Sequence, residues 1–246
     1  MKDGVGSQLC DDNGVLVNAK QVVEKFYGNL YANKPTEEAI KLKWIHKIKR
    51  KISQADMVVL DKDISEEEIL EAVKDFNNGK APGSDGLGVE IYKKIPLLSK
   101  WLLQAWESAR FKGLLWKTAC FCVIRLIHKK AEKDRITNYR LISLCNADYK
   151  IIAKVLSKQI KTVMNYIIDE EQTGSVPGRN IRVNVSITRV FLENIEEYEK
   201  GGALLLDFEK AYDRVDREFL EWCLMQLGFS DNFVGMVMLL YNCTSA

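Results

Sequence analysis

Hydrophobic and polar positions along this chain alternate with two different periods, and the switches between them mark its elements. Val22, Val23, Phe26 and Leu30 fall at helical spacing and predict a helix over Asn18–Tyr31, while the Lys/Arg-rich stretch 41–51 reads as an exposed helix or linker. Ser65-Glu66-Glu67-Glu68 forms a capping box ahead of the buried stripe Ile69, Val73 and Phe76, with Gly79 expected to end that helix. A further helix carrying Leu98, Trp101, Leu102, Ala105 and Trp106 closes near Gly113. Period two then takes over. Phe121–His128 predicts a strand with Arg125 on the face opposite Ile124 and Leu126, and Leu141–Leu144 is its expected partner across a polar connection. Residues 148–168 form the longest predicted helix, from Ile151 and Ile152 to Ile167. A Gly/Pro loop over Gln172–Arg179, a helix over 181–198, and helices near 216–227 and 231–242 complete the pattern.

One short apolar run stands apart. Ala203-Leu204-Leu205-Leu206 leads straight to Asp207, which predicts a buried strand presenting a carboxylate at its end. Such a carboxylate suits a metal ion, because no flexible arm separates it from the scaffold. A solvated Asp at a strand terminus is the competing reading.

Charge redraws the picture more than composition does. Residues 110–161 carry 13 Lys/Arg against 3 Asp/Glu, and residues 162–246 carry 7 against 14. A basic middle beside an acidic last third suits a polyanion surface next to a cation-binding one, though a solvated basic helix face would have the same composition. Six cysteines form no CxxC pair and His46 and His128 are the only histidines, which argues against zinc and against a secreted disulfide framework. No run is long and apolar enough for a membrane span and no signal-peptide core opens the chain, so an intracellular place, cytoplasm or nucleus, is expected.

The motifs come in a telling order. Gly79-Lys80-Ala81-Pro82-Gly83-Ser84-Asp85-Gly86 is followed by Val123–Lys130, by Asn138-Tyr139-Arg140-Leu141-Ile142-Ser143-Leu144 and by Asp148–Leu156. Gln172-Thr173-Gly174-Ser175-Val176-Pro177-Gly178-Arg179 then precedes the block Ala203–Leu220. From about residue 65 onward this series resembles the reverse transcriptase of non-LTR (LINE-type) retrotransposons. The resemblance implies an α+β fold, helix-rich with a few short antiparallel strands: right-hand polymerase fingers over 61–200 and the start of a palm over 201–246, with 1–60 as an upstream linker.

It also implies roles. Asp207, with the backbone carbonyl of Phe208, would bind the two catalytic Mg²⁺ ions. Tyr212 would exclude a ribose 2′-hydroxyl by bulk, and Arg140, with Lys129 and Lys130, would contact the triphosphate of the incoming dNTP. Arg125, Arg179 and the loop residues Lys80, Gly83, Asp85 and Gly86 would contact the RNA template or DNA primer, the glycines by letting backbone N–H groups approach phosphate. Each has a plain structural alternative: core packing for Tyr212, a surface ion pair for Arg140, exposed lysines at 129 and 130, helix entry for Arg179. The chain departs from the family pattern at Ser84, His128 and Leu141, where proline is usual, and at Ser175, where an aromatic is usual.

The family's second catalytic block, an aromatic-x-Asp-Asp hairpin, does not occur downstream of Asp207; the adjacent acid pair Asp11-Asp12 lies far upstream. Two metal ions need more than one carboxylate. A truncated polymerase inactive by itself is therefore expected. The alternatives are a nucleic-acid-binding module without catalysis and a non-functional fragment with an exposed sheet edge. Oligomeric state is not legible.

Overall fold

The computed structural model describes residues 8–32, 37–45, 47–129, 131–195, 204–208 and 210–242. The chain divides into two compact units. The first gathers Met1–Pro35, Asp63–Leu156 and Gly235–Ala246, and the second gathers Thr36–Lys62 and Ser157–Val234.

The first unit opens with a hairpin that the sequence reading missed, β1 (Gln8–Cys10) paired antiparallel with β2 (Leu16–Asn18). The Asp11 carboxylate organises its turn by accepting the N–H groups of Asn13 and Val15, both at 2.9 Å. Asn18 then caps α1 (Ala19–Leu30) through the N–H of Lys20. Leu9, Val22, Tyr27, Ile136 and Tyr139 form a core cluster here, and Leu126 and Leu141 pack against it.

Beyond it, α4 (Glu66–Lys74) has the expected capping box: Ser65 Oγ accepts the Glu68 N–H at 3.2 Å and the Ser65 N–H reaches Glu68 Oε2 at 2.9 Å. Ser65→Ala removes one half of that box and is expected to cost about 1 kcal/mol, read as a lower urea midpoint with an unchanged slope. The helix ends at Lys74, earlier than Gly79, because the Lys93 ammonium takes the Phe76 carbonyl and the Asn78 side chain. Gly79, at φ +72°, shapes the turn beyond.

After α5 (Glu90–Lys94) comes α6 (Leu97–Lys112), which buries Leu102, Trp106 and Ala109 and stops at Gly113 in the left-handed region. Trp101 faces solvent. β3 (Cys122–His128) and β4 (Tyr139–Cys145) pair antiparallel over their full length. α7 (Ala147–Ile167) follows, burying Ile151, Ile152, Val155 and Leu156 in the first unit. The Tyr149 hydroxyl donates to the Leu240 carbonyl at 3.2 Å.

The second unit holds α2 (Glu38–Ile45), α3 (Gln54–Leu60), the end of α7, α8 (Ile181–Glu193), α9 (Arg217–Gln226) and the first turn of α10 (Asp231–Asn242). The Ile52 N–H donates to the Leu227 carbonyl at 2.9 Å, the Asn232 amide to the Asp61 carbonyl at 2.9 Å, and Arg50 pairs with Glu170. The rings of Phe229 and Phe233 stack at 5.3 Å. The described part of α8 buries none of its residues. No helix is long and apolar enough to cross a membrane among the described residues.

The expected strand before Asp207 is not formed. Residues 204–208 have no regular structure, and Leu204, Leu205 and Leu206 are all more than 80 % exposed. A strand needs a neighbour for its N–H and C=O groups. Among the described residues the only sheets are β1–β2 and β3–β4, and neither extends to this segment.

Candidate nucleic-acid interface

The β3–β4 register sorts the basic residues. Arg125 stands opposite Ile142, Ile127 opposite Arg140, and His128 opposite Tyr139. Side chains alternate across a strand, so Leu126, Leu141 and Tyr139 share one face and Arg125, Ile127, Arg140 and Ile142 share the other. The first face meets the core. The second is exposed at all four of those positions. Lys129 extends it, since its N–H continues the ladder to the Asn138 carbonyl at 2.8 Å. No Asp or Glu lies on this face of the strands.

Arg125 and Arg140 are diagonal neighbours, which by strand geometry sets their Cβ atoms roughly 7 Å apart. The side chains of Arg125, Lys129 and Arg140 make no hydrogen bond or ion pair with the described residues, so a surface ion pair does not account for Arg140. Two guanidiniums and an ammonium on one apolar-backed face are disposed to take phosphate oxygens. Lys130 lies outside the described residues.

The connection between the strands is tied down locally. His128 Nε2 meets the Ala131 carbonyl at 3.0 Å, the Asn138 amide donates to the Glu132 carbonyl at 2.8 Å, and the Tyr139 hydroxyl donates to the Lys133 carbonyl at 2.7 Å. The His128 and Tyr139 rings meet edge-on at 5.3 Å.

The loop 80–86, in the same unit, is organised by a residue the sequence reading passed over. Asn146, fully buried between β4 and α7, donates through Nδ2 to the Thr118 carbonyl at 2.9 Å. Its Oδ1 accepts from Ser84 Oγ at 3.2 Å and from the Asp85 N–H at 3.3 Å. Gly83 packs onto it so closely that a Cβ there would lie 2.6 Å from the Asn146 nitrogen. The Asp85 carboxylate in turn accepts the Leu87 N–H at 2.9 Å, and the Gly86 N–H goes to the Gly83 carbonyl. The loop's glycine and its N–H groups at 85–87 therefore serve the protein itself, leaving exposed Lys80 as its basic group.

Arg179 is similarly committed. Its terminal nitrogens donate to the carbonyls of Asn165 (3.1 Å), Ile168 (2.8 Å), Gln172 (2.8 Å) and Asp169. Asn165 lies in the last turn of α7 and the other three follow it, with the Asp169 carbonyl also accepting the Gln172 N–H at 3.1 Å. Arg179 closes that helix end.

Asp207, Phe208 and Tyr212 belong to the second unit. Asp207 is exposed in its irregular segment, and Lys210 takes a left-handed conformation before a 3₁₀ turn over Ala211–Arg214. Tyr212 on that turn is 90 % exposed, which rules out core packing. Asp216 then caps α9 through the N–H groups of Glu218 and Phe219. No cluster of three or more His, Cys, Asp or Glu side chains fit for a metal ion occurs among the described residues.

The fold class is a helix-rich α+β chain with two short antiparallel hairpins, one of which carries a basic face. Residues 127–244 belong to the reverse transcriptase (RNA-dependent DNA polymerase) family. The chain is 32 % identical over 243 residues, 96 % of its length, to the transposon TX1 uncharacterized 149 kDa protein of Xenopus laevis. It is 28 % identical over 162 residues, 63 % of its length, to the probable RNA-directed DNA polymerase from transposon BS of Drosophila melanogaster. The chain spans 18 % of each of these relatives.

Proposed function

We propose that the outer face of the β3–β4 hairpin, with Arg125, Lys129 and Arg140, is the surface on which this reverse transcriptase segment holds the phosphates of an RNA template, DNA primer or dNTP. The observation that carries this reading is three exposed basic side chains on one sheet face, none of them neutralised by a described carboxylate. The guanidiniums hold phosphate bidentately and Lys129 adds a point charge. Lys80 adds a basic group from the same unit, and the nucleotide-contact roles of Lys130 and Tyr212 rest on the family resemblance alone. The fingers assignment of 61–200 and the palm assignment of 201–246 belong to the same reading.

Nucleotidyl transfer in this family relies on divalent metal ions, Mg²⁺ in the usual case, and Asp207 with the Phe208 carbonyl is the place for them. One carboxylate supplies part of such a donor set. The 246 residues by themselves therefore bind nucleic acid without extending a primer. An intracellular place, cytoplasm or nucleus, fits such substrates.

Binding of single-stranded RNA by the purified chain, followed by anisotropy across a salt series, tests the surface. Affinity is expected to fall steeply with salt, and the Arg125→Ala/Lys129→Ala/Arg140→Ala triple variant should lose about 2 units of log–log slope. Equal slopes for the two proteins would remove the hairpin from the interface. Primer extension with Mg²⁺, an RNA template and a DNA primer tests the rest: synthesis that vanishes in Asp207→Ala would overturn the expected inactivity.

A further inference from the structure

The core-facing side of the β3–β4 hairpin ends in two thiols, Cys122 and Cys145, which the register places directly opposite each other. Their pair type follows from the ladder. The Lys129 N–H bonds to the Asn138 carbonyl, so 129 and 138 form a hydrogen-bonded pair, and alternation down the strands makes 122 and 145 a non-hydrogen-bonded pair. Such pairs bring their Cα atoms to about 4.5 Å and their side chains closest, inside the window a disulfide accepts. The two thiols are hydrogen-bonded to each other and both residues are half-buried.

The other described cysteines lie elsewhere. Cys10 is bonded to the Asp134 carboxylate at 3.3 Å, Cys120 Sγ to the Trp116 carbonyl at 3.6 Å, and Cys223 belongs to the second unit.

We propose that Cys122 and Cys145 form a reversible cross-strand disulfide, made by exchange with a small-molecule disulfide such as oxidised glutathione. Burial and the hydrogen bond to Cys145 push the Cys122 thiol up to about 12. The thiolate of one of the two cysteines attacks one glutathione sulfur and expels one glutathione thiolate. The other cysteine, giving its proton to solvent, then attacks the protein sulfur of the mixed disulfide and expels the second. Two protein thiols are oxidised by two electrons, and one glutathione disulfide is reduced to two thiols. The bond staples the hairpin at the end far from its connecting loop. It holds whether or not the opposite face binds nucleic acid.

The test incubates the full chain with oxidised glutathione, alkylates the remaining thiols and maps peptides without reductant. Cys120→Ser is the working background, because Cys120 and Cys122 share the tryptic peptide 118–125. The expected result is a peptide pair linked through Cys122 and Cys145, with a melting temperature roughly 5–10 °C higher that returns to its starting value with dithiothreitol. Cys145→Ser should lose the link and the shift together. Recovery of Cys122 and Cys145 as alkylated thiols or as separate glutathione adducts overturns the proposal, and in the wild-type chain so does a link through Cys120. Should Cys145→Ser fail to fold, mapping of the Cys120→Ser protein decides alone.

Discussion

Asn146→Ala is expected to lower the unfolding free energy by about 2–3 kcal/mol and to open the 80–86 loop to trypsin at Lys80. The side chain is fully buried and serves three partners from two directions, the Thr118 carbonyl on one side and Ser84 and Asp85 on the other. Alanine removes three hydrogen bonds, each with a net contribution of about 1 kcal/mol because the partner residues are exposed and regain water. Asn146→Asp keeps the acceptor and loses the donor, so it should fall between the two. Gly83→Ala attacks the same joint from the loop side. Its Cβ would meet the Asn146 nitrogen at 2.6 Å and the Asn146 Cα at 2.7 Å, backbone atoms that cannot swing aside. Overpacking of that kind costs about 1–3 kcal/mol. Urea unfolding of the three variants measures the stability, and trypsin kinetics measure the loop. An Asn146→Ala protein within about 0.5 kcal/mol of wild type, its loop still protected, would show that the joint does not hold the loop.

The second large effect is expected at Arg179. Arg179→Met keeps most of the aliphatic stem and removes the donors to four carbonyls around the end of α7. Charge-assisted hydrogen bonds of a half-buried guanidinium justify a loss of about 2–3 kcal/mol. Arg179→Lys, with one compact ammonium, should recover only part of it. The alternative role, a template contact, makes the opposite forecast: RNA affinity falls in Arg179→Met while the urea midpoint stays put. The two measurements on one variant separate the roles.

These two residues also show where sequence reading stops. Helices α1, α4, α6, α7, α9 and α10 were legible because burial against a core imposes a 3.6-residue period that survives in the letters. The β3–β4 pairing was legible for the matching reason at period two, and with it the shared face of Arg125 and Arg140. The β1–β2 hairpin escaped because three-residue strands carry too little period, although Asn13-Gly14 at its turn was a usable cue. Asn146 acts across 28 to 62 residues and Arg179 across 7 to 14, both largely on backbone carbonyls and amides, which leave no trace in composition. The strand before Asp207 failed for a different reason. Ala203–Leu206 has strand letters, but a strand is a property of two segments, and a single run cannot report whether its partner is there.

The division of the chain into units has a temporal side. The first unit is assembled from three separate stretches, and its last, Gly235–Ala246, is translated after the whole of the second unit's sequence. That stretch is no ornament: Met236, Val237, Met238, Leu239 and Leu240 are all buried. At a synthesis rate of roughly 5–20 residues per second, residues 63–156 emerge several seconds before the helix that completes their unit. During that interval the nascent chain must hold an unfinished apolar surface. A ribosome stalled before residue 235 would therefore carry a first unit that binds chaperones, and emergence of residues 235–242 would end the association.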